Sequence, residues 1–175
     1  MAQRDAEQFE RLIMSHVDDA YALALYLLRN EHDAQDAVQD AVLRALRYFD
    51  GFRDGDARAW LLAIVRNCCH TFYQRNRADR NAVSYAEAET EPELHVLAGA
   101  DALAIQSSER GVIDRAIALL PQEFREVIVL RELHEMSYKE ISMITGVPVG
   151  TVMSRLARAR KRLAVSLGVH VREAS

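Results

Sequence analysis

The stretch SYKEISMITGVPVGTVMSRLARARKR, residues 137–162, decides the fold. Ser137 and Glu140 stand in the S-x-x-E arrangement, in which the serine side chain accepts a backbone N–H at a helix start and the glutamate reaches back to the cap. A helix therefore starts near Tyr138, with Ile141 and Ile144 on one side. Gly146 is the residue type that ends a helix in a left-handed conformation without steric cost, and Pro148 prevents simple continuation. Beyond this turn Val152, Leu156, Ala159 and Leu163 recur at spacings of four, three and four, a narrow stripe that packs inward. The opposite face carries Gly150, Ser154, Ala157, Arg158 and Lys161, flanked by Thr151, Arg155 and Arg162. Residues 149–162 hold five cations and no acid.

A short helix, a glycine turn and a longer basic helix make the layout of a helix-turn-helix whose second helix enters the DNA major groove. Small outward residues let the backbone approach the bases, an arginine can bond a guanine edge, and flanking cations can hold phosphates. An ordinary helical hairpin with a solvated basic face shares the charge, but does not need cap, turn and one-sided charge together.

Half of the 175 residues are hydrophobic, with seven glycines and three prolines, so the chain reads as all-α and long enough to bury a real core. The net charge of −4 excludes a protein basic all over and confines nucleic-acid contact to local surfaces. The two cysteines, Cys68 and Cys69, are adjacent; on a helix they diverge by about 100°, a poor geometry for a mutual disulfide. Neither a signal-peptide run nor a bilayer-length apolar stretch is visible, so a cytoplasmic protein without membrane insertion is expected. No metal site is expected: His16, Asp18 and Asp19 diverge around a helix, and Cys68, Cys69 and His70 lack ligand spacing and a second cluster. No cofactor motif and no nucleophile–base pair stands out, which weighs against an enzyme.

Along the chain, residues 6–29 have helical spacing, with Phe9, Leu12, Ile13, Val17, Tyr21, Leu25 and Leu28 as the apolar band of one core helix. Asp33 is the expected cap of a second helix running to about Tyr48. Its inward face is Ala34, Ala37, Val38, Ala41, Ala45, Leu46 and Phe49; Asp36, Gln39, Asp40, Leu43, Arg44 and Arg47 face outward or lie at its margin. The outward leucine hints at a partner surface, though a solvated face with one stray leucine fits equally.

Residues 50–56 are a turn-rich loop, and Asp56 is the expected cap of a third helix buried through Trp60, Leu61, Ile64, Val65, Cys68 and Phe72. Its later part mixes cations, aromatics and amides: Arg66, Asn67, His70, Tyr73, Gln74, Arg75, Arg77 and Arg80. Such a mixture suits single-stranded or distorted nucleic acid, while a helix C-terminus decorated with arginine for dipole reasons fits as well. Residues 81–107 carry five acids and no Lys or Arg, and read as a flexible acidic linker in which Leu94, Val96, Leu97 and Leu103 could dock. The expected organisation is a domain 1–80, this linker, and a domain 108–175. In the second domain Ile113, Ala116, Ile117 and Leu120 mark one helix, and Pro121 opens the next, with Phe124, Val127, Ile128 and Leu130 as its apolar residues.

Together the two halves resemble the extracytoplasmic-function class of bacterial sigma factors over nearly the whole chain. DAQDAVQDAVLRAL (33–46) is similar to the family's second-region helix that grips the clamp helices of the polymerase largest subunit. ARAWLLAIVRNCCHTFYQRNR (57–77) is similar to the following helix, which meets the −10 promoter element. Residues 120–163 resemble the fourth region throughout, including the V-P-x-G-T-V-x-S-R-L run at 147–156.

The resemblance implies a monomeric promoter-specificity subunit whose partners are RNA polymerase core, promoter DNA and an anti-sigma factor, the last able to hold it at a membrane. It assigns Asp36, Gln39, Asp40, Leu43 and Arg44 to the polymerase. Phe52 and Arg53 would contact an unstacked −10 base, steadied by Arg66, Asn67, Tyr73 and Arg75. Ser154 and Arg158 would read −35 bases, with Met153 and Ala157 alongside and Thr151, Arg155 and Lys161 on phosphates. A stand-alone helix-turn-helix regulator is the competing reading, and usually binds a palindromic site without polymerase.

Overall fold

In the computed structural model, which describes residues 3–83 and 108–168, every described regular element is helical. The chain divides into two units. In the first, α1 (Gln3–Ile13), α2 (Val17–Leu28), α3 (Glu31–Tyr48) and α4 (Ala57–Val83) surround one core. Ala20, Leu23, Ala24, Ala34, Ala37, Ala41, Ala45, Ala59, Leu61, Leu62 and Val65 are fully buried where α2, α3 and α4 meet. Alanine on one helix against leucine and valine on the next lets the backbones approach while each large side chain fills the space left by a small one.

Three expectations change here. The single helix expected over 6–29 is broken by a 3-10 turn at Met14–His16 that holds no buried side chain. There the Ser15 hydroxyl donates to the Arg11 carbonyl at 3.2 Å, a back-bond that bends helices. Asp33 is not the cap of α3: Asn30 is, its Oδ1 accepting from the Asp33 N–H at 3.0 Å, and Asp33 sits in the first turn, where a carboxylate suits the helix dipole. The preceding Arg29 closes α2 in the left-handed conformation (φ 58°), its N–H donating to the Leu25 carbonyl at 2.8 Å. Leu46, expected inside, is 37% exposed, because its position falls beyond the edge of the face that Ala41 and Ala45 bury.

Asp56 caps α4 as expected, its Oδ1 accepting from the N–H groups of Arg58 at 2.9 Å and Ala59 at 3.3 Å. The helix continues to Val83, so only the first three residues of the expected linker are described, and they extend α4; residues 84–107 lie outside the described residues.

In the second unit, Ser108 caps α5 (Glu109–Ala118) by accepting from the Gly111 N–H at 3.2 Å. Pro121 precedes α6 (Gln122–Ile128), which runs into a π-helical turn at Val129–Leu133. Residues 124–130 are all buried, so α6 is the central helix, apolar around its circumference except for Arg125 and Glu126. Arg125 Nη2 donates to the Leu120 carbonyl at 3.0 Å, satisfying a backbone acceptor at the end of α5. Ile113, expected inside, is 45% exposed, since Ala116, Ile117 and Leu120 already fill the seam against the rest of the unit.

The quoted stretch forms α7 (Tyr138–Thr145) and α8 (Val149–Ser166). The capping box is complete: Glu140 N–H donates to Ser137 Oγ at 3.2 Å, and Ser137 N–H to Glu140 Oε2 at 2.7 Å. Gly146 takes φ 74°, and the Ser142 hydroxyl donates to the Val147 carbonyl at 2.6 Å, so the turn is fastened by side chain as well as backbone.

Candidate nucleic-acid and protein interfaces

The rotation of α8 is set from below. Val152, Leu156 and Ala159 are at most 1% exposed, packed toward α6 and α7, while Leu163 is half-buried. With those positions fixed inward, the 3.6-residue period turns Gly150, Ser154, Ala157, Arg158 and Lys161 outward, and all five are exposed. Met153, 53% exposed, borders the face on one side and half-buried Thr151 on the other. Nothing lies within 4 Å of where a Gly150 side chain would project, so the backbone at the start of α8 is open to close approach. The Ser154 hydroxyl donates to the Thr151 carbonyl at 3.0 Å, which leaves its oxygen facing outward as an acceptor.

The five cations of α8 divide into two groups. Arg160 binds Glu132 through Nη2 at 2.7 Å and Nε at 3.2 Å, and this bond raises the guanidinium pKa. The Arg162 guanidinium lies 5.1 Å over the Phe124 ring, and Arg155 Nη2 is 3.7 Å from Glu123 Oε2. These three face their own unit. Arg158 and Lys161 make no ion pair among the described residues and remain on the outer face.

On α3, Asp36, Gln39 and Leu43 are exposed on successive turns, with Leu43 59% exposed. Asp40 and Arg44, one turn apart, form an ion pair of 2.9 Å within the same patch, and that hydrogen bond raises the Arg44 pKa. Beside it runs a groove of about 610 Å³ between α2 and α3, lined on the α2 side by Val17, Asp18 and Tyr21. Val17 and Tyr21, expected in the core, are partly exposed because they line this groove opposite Gln35, Gln39 and Leu43 of α3. Beneath the patch, burial pushes the Cys68 thiol up to about 11.

The loop after α3 is organised by rings. Phe52 lies 4.9 Å from Trp60 and 6.2 Å from Phe49, which meets Phe9 edge-on at 5.2 Å, so Phe52 is half-buried within an aromatic ladder, between Phe49 and Trp60, with Arg53 exposed beside it. Nothing in the spacing of Phe9, Phe49, Phe52 and Trp60 indicates this ladder. On α4, Arg66, His70, Tyr73 and Arg77 fall on one flank at steps of four, three and four, with Asn67 next to Arg66 and within 3.4 Å of its Nη1. Arg75 is about 180° from Arg66 around the helix, so the structure does not bring it onto that flank. The side chain of Arg80 lies outside the described residues.

Two polar struts hold α4 against its neighbours: Arg58 Nε donates to Asp19 Oδ2 at 2.6 Å, and Asn76 Nδ2 to Asp33 Oδ2 at 3.0 Å. Sequence reading missed both, because the partners are 39 and 43 residues apart. Among the described residues no group of three or more His, Cys, Asp or Glu side chains is placed to hold a metal, and no described helix is long and apolar enough to cross a membrane.

Comparison with known proteins matches two family models to the chain, Sigma-70 region 2 over residues 12–79 and Sigma-70, region 4 over residues 110–163. The ECF RNA polymerase sigma-E factor of Escherichia coli (strain K12) is 35% identical over 137 residues, covering 75% of this chain and 72% of that protein. ECF RNA polymerase sigma factor EcfG of Rhodopseudomonas palustris is 34% identical over 158 residues, covering 90% of this chain and 83% of that protein. ECF RNA polymerase sigma factor SigE of Mycolicibacterium smegmatis is 30% identical over 94% of this chain, which spans 63% of that longer protein. Among solved structures, the sigma factor RpoE of Bartonella quintana, in complex with the anti-sigma factor NepR, superposes with a TM-score of 0.72 at 26% identity, covering 94% of this chain and 99% of RpoE. A chain from the complex of CnrH with the cytosolic domain of CnrY superposes with a TM-score of 0.66 at 26% identity, covering 95% of this chain and 91% of that one.

Proposed function

We infer the role of this chain from its family: it belongs to the extracytoplasmic-function class of RNA polymerase sigma factors. It directs RNA polymerase core to specific promoters and assists their opening, catalyses nothing itself, and works in the cytoplasm as a monomer. The observation that supports this reading is that one chain carries two helices suited to nucleic acid, α4 and α8, in separate units that each contain one matched sigma-70 region. The outer face of α8 would read the −35 element through Ser154 and Arg158, with Ala157 and Met153 against the bases and Thr151 and Lys161 on phosphates. The flank of α4 with Arg66 and Tyr73 would follow the −10 strand, and Asn67 would support it. Arg53 and the exposed part of Phe52 would meet an unstacked base; unstacking costs a few kcal/mol, which a pocket must offset.

On α3, Asp36, Gln39, Asp40, Leu43 and Arg44 form the surface for the polymerase clamp helices. A leucine 59% exposed among charges next to an open groove is what a protein partner can cover. An anti-sigma factor that occupies the surfaces needed for polymerase keeps the protein inactive, by analogy with RpoE, solved in complex with the anti-sigma factor NepR. Transcription from a genomic promoter library by core polymerase with and without the purified chain tests the proposal. Specific new start sites are expected, and none from any promoter would overturn it. A gel shift separates this role from a stand-alone regulator, since specific binding should require core.

A further inference from the structure

We propose that Glu123 limits how tightly α8 holds DNA of any sequence, by keeping Arg155 turned away from the phosphates. The proposal rests on the reading of α8 as the DNA-facing helix. Arg155 lies at the border between the buried stripe and the outer face, one turn before Ala159, where a long side chain can swing either way. It lies along its own unit, its side chain 24% exposed and its Nη2 3.7 Å from the carboxylate of Glu123 in the first turn of α6. The Glu123 side chain is 54% exposed, so its charge is felt by anything approaching that edge of α8.

The carboxylate acts on the DNA twice. It attracts Arg155, and it repels the phosphate that Arg155 would otherwise reach. A contact of 3.7 Å in an exposed setting is a loose one, so the cation is restrained rather than locked. Arg160 differs: two short hydrogen bonds to Glu132 fix it away from the outer face, and it serves as a strut between α8 and the π-helical turn. With Arg155 restrained, Lys161 is the cation of the outer face left for phosphates, Arg158 being turned to the bases. A phosphate contact acts on every sequence alike, so restraining Arg155 lowers the hold on random DNA and leaves discrimination to Ser154 and Arg158.

The test uses the full chain and a duplex of random sequence, with binding followed by fluorescence anisotropy between 50 and 200 mM salt. Glu123→Gln should bind more tightly, with the slope of log K against log salt steeper by about 0.9, one extra phosphate. Its advantage should therefore shrink by about 3.5-fold across that range. Combining Glu123→Gln with Arg155→Ala should leave only the small gain from lost repulsion, with the slope of Arg155→Ala alone. A slope that is still steeper in the double variant than in Arg155→Ala, or a Glu123→Gln slope equal to that of the parent, overturns the proposal. Lys161→Ala reports on the underlying reading: a shallower slope there with no effect of Glu123→Gln means that α8 faces DNA but Glu123 does not restrain it. An unchanged slope in Lys161→Ala overturns the reading of α8 and the proposal with it.

Discussion

Replacing Gly146 by alanine isolates the backbone contribution of the turn between α7 and α8. The glycine sits at φ 74° and ψ 16°, and its N–H donates to the Ser142 carbonyl at 2.9 Å. A Cβ built at this position meets nothing within 4 Å, so the cost of alanine is that of the left-handed conformation alone, about 1–2 kcal/mol. Alanine also restricts the unfolded chain, which returns about 0.4–1 kcal/mol. The net expectation is a loss of about 1 kcal/mol, or about 4–8 °C for a unit of this size. Asparagine tolerates the left-handed region and should cost less, whereas β-branched valine should cost more. Far-UV circular dichroism follows the melt. The single tryptophan, Trp60 in α4, supplies a fluorescence reference from the first unit that should not move. If Gly146→Ala is neutral, or asparagine proves worse than valine, φ is not what requires glycine here.

Three further outcomes are expected. Asp40→Arg should abolish binding to core polymerase while changing stability by no more than about 0.5 kcal/mol, since an exposed pair one turn apart contributes little; a pull-down with normal core retention removes the reason for placing that patch on α3. Arg158→Ala should cost about 1–3 kcal/mol in holoenzyme affinity for its promoter and relax preference at one −35 position, read by selection from a randomised library; an unchanged preference rejects its role as a base reader. The Cys68 thiol, raised by burial from an ordinary 9.0 to about 11, stays protonated in the folded protein where the unfolded chain has already ionised. Its contribution to stability is therefore complete below about pH 9 and lost as pH rises toward 11. Urea midpoints of the parent should fall more steeply across that window than those of Cys68→Ala, and equal slopes would contradict the burial argument.

Local devices were legible in the sequence and long-range ones were not. The capping box at Ser137 and Glu140, the left-handed Gly146 and the Asp56 cap each depend on residues within four positions, and each forms. The break at Met14–His16 was hidden because the buried positions Phe9, Ile13, Ala20, Ala24 and Leu27 keep one helical phase straight through it. Asn30 and Asp33 are both good caps, and pattern alone cannot rank two such residues three apart. The packing of Phe52 between Phe49 and Trp60 was not legible, because Trp60 comes from α4 beyond the loop and Phe9 from α1. The charge of α8 was counted correctly, but its distribution was not, since Glu123 and Glu132 come from α6 and the turn that follows it.

That distribution bears on how two weak anchors select a promoter in the proposed holoenzyme. A recognition helix with all five cations on phosphates would lose about 0.9 in salt slope for each one, and would hold tightly to DNA of any sequence when salt is low. Two outward cations give less grip, and a short face of Ser154, Ala157 and Arg158 can discriminate only a few bases. A lone α8 is therefore expected to bind DNA poorly. Tethering changes the arithmetic, because a chain already held on polymerase through α3 meets its −35 site at a local concentration in the millimolar range. Weakness of α8 outside the complex is then an advantage: free protein does not occupy promoters, and a regulator that covers α3 silences both anchors by removing the tether, without having to mask α8 itself.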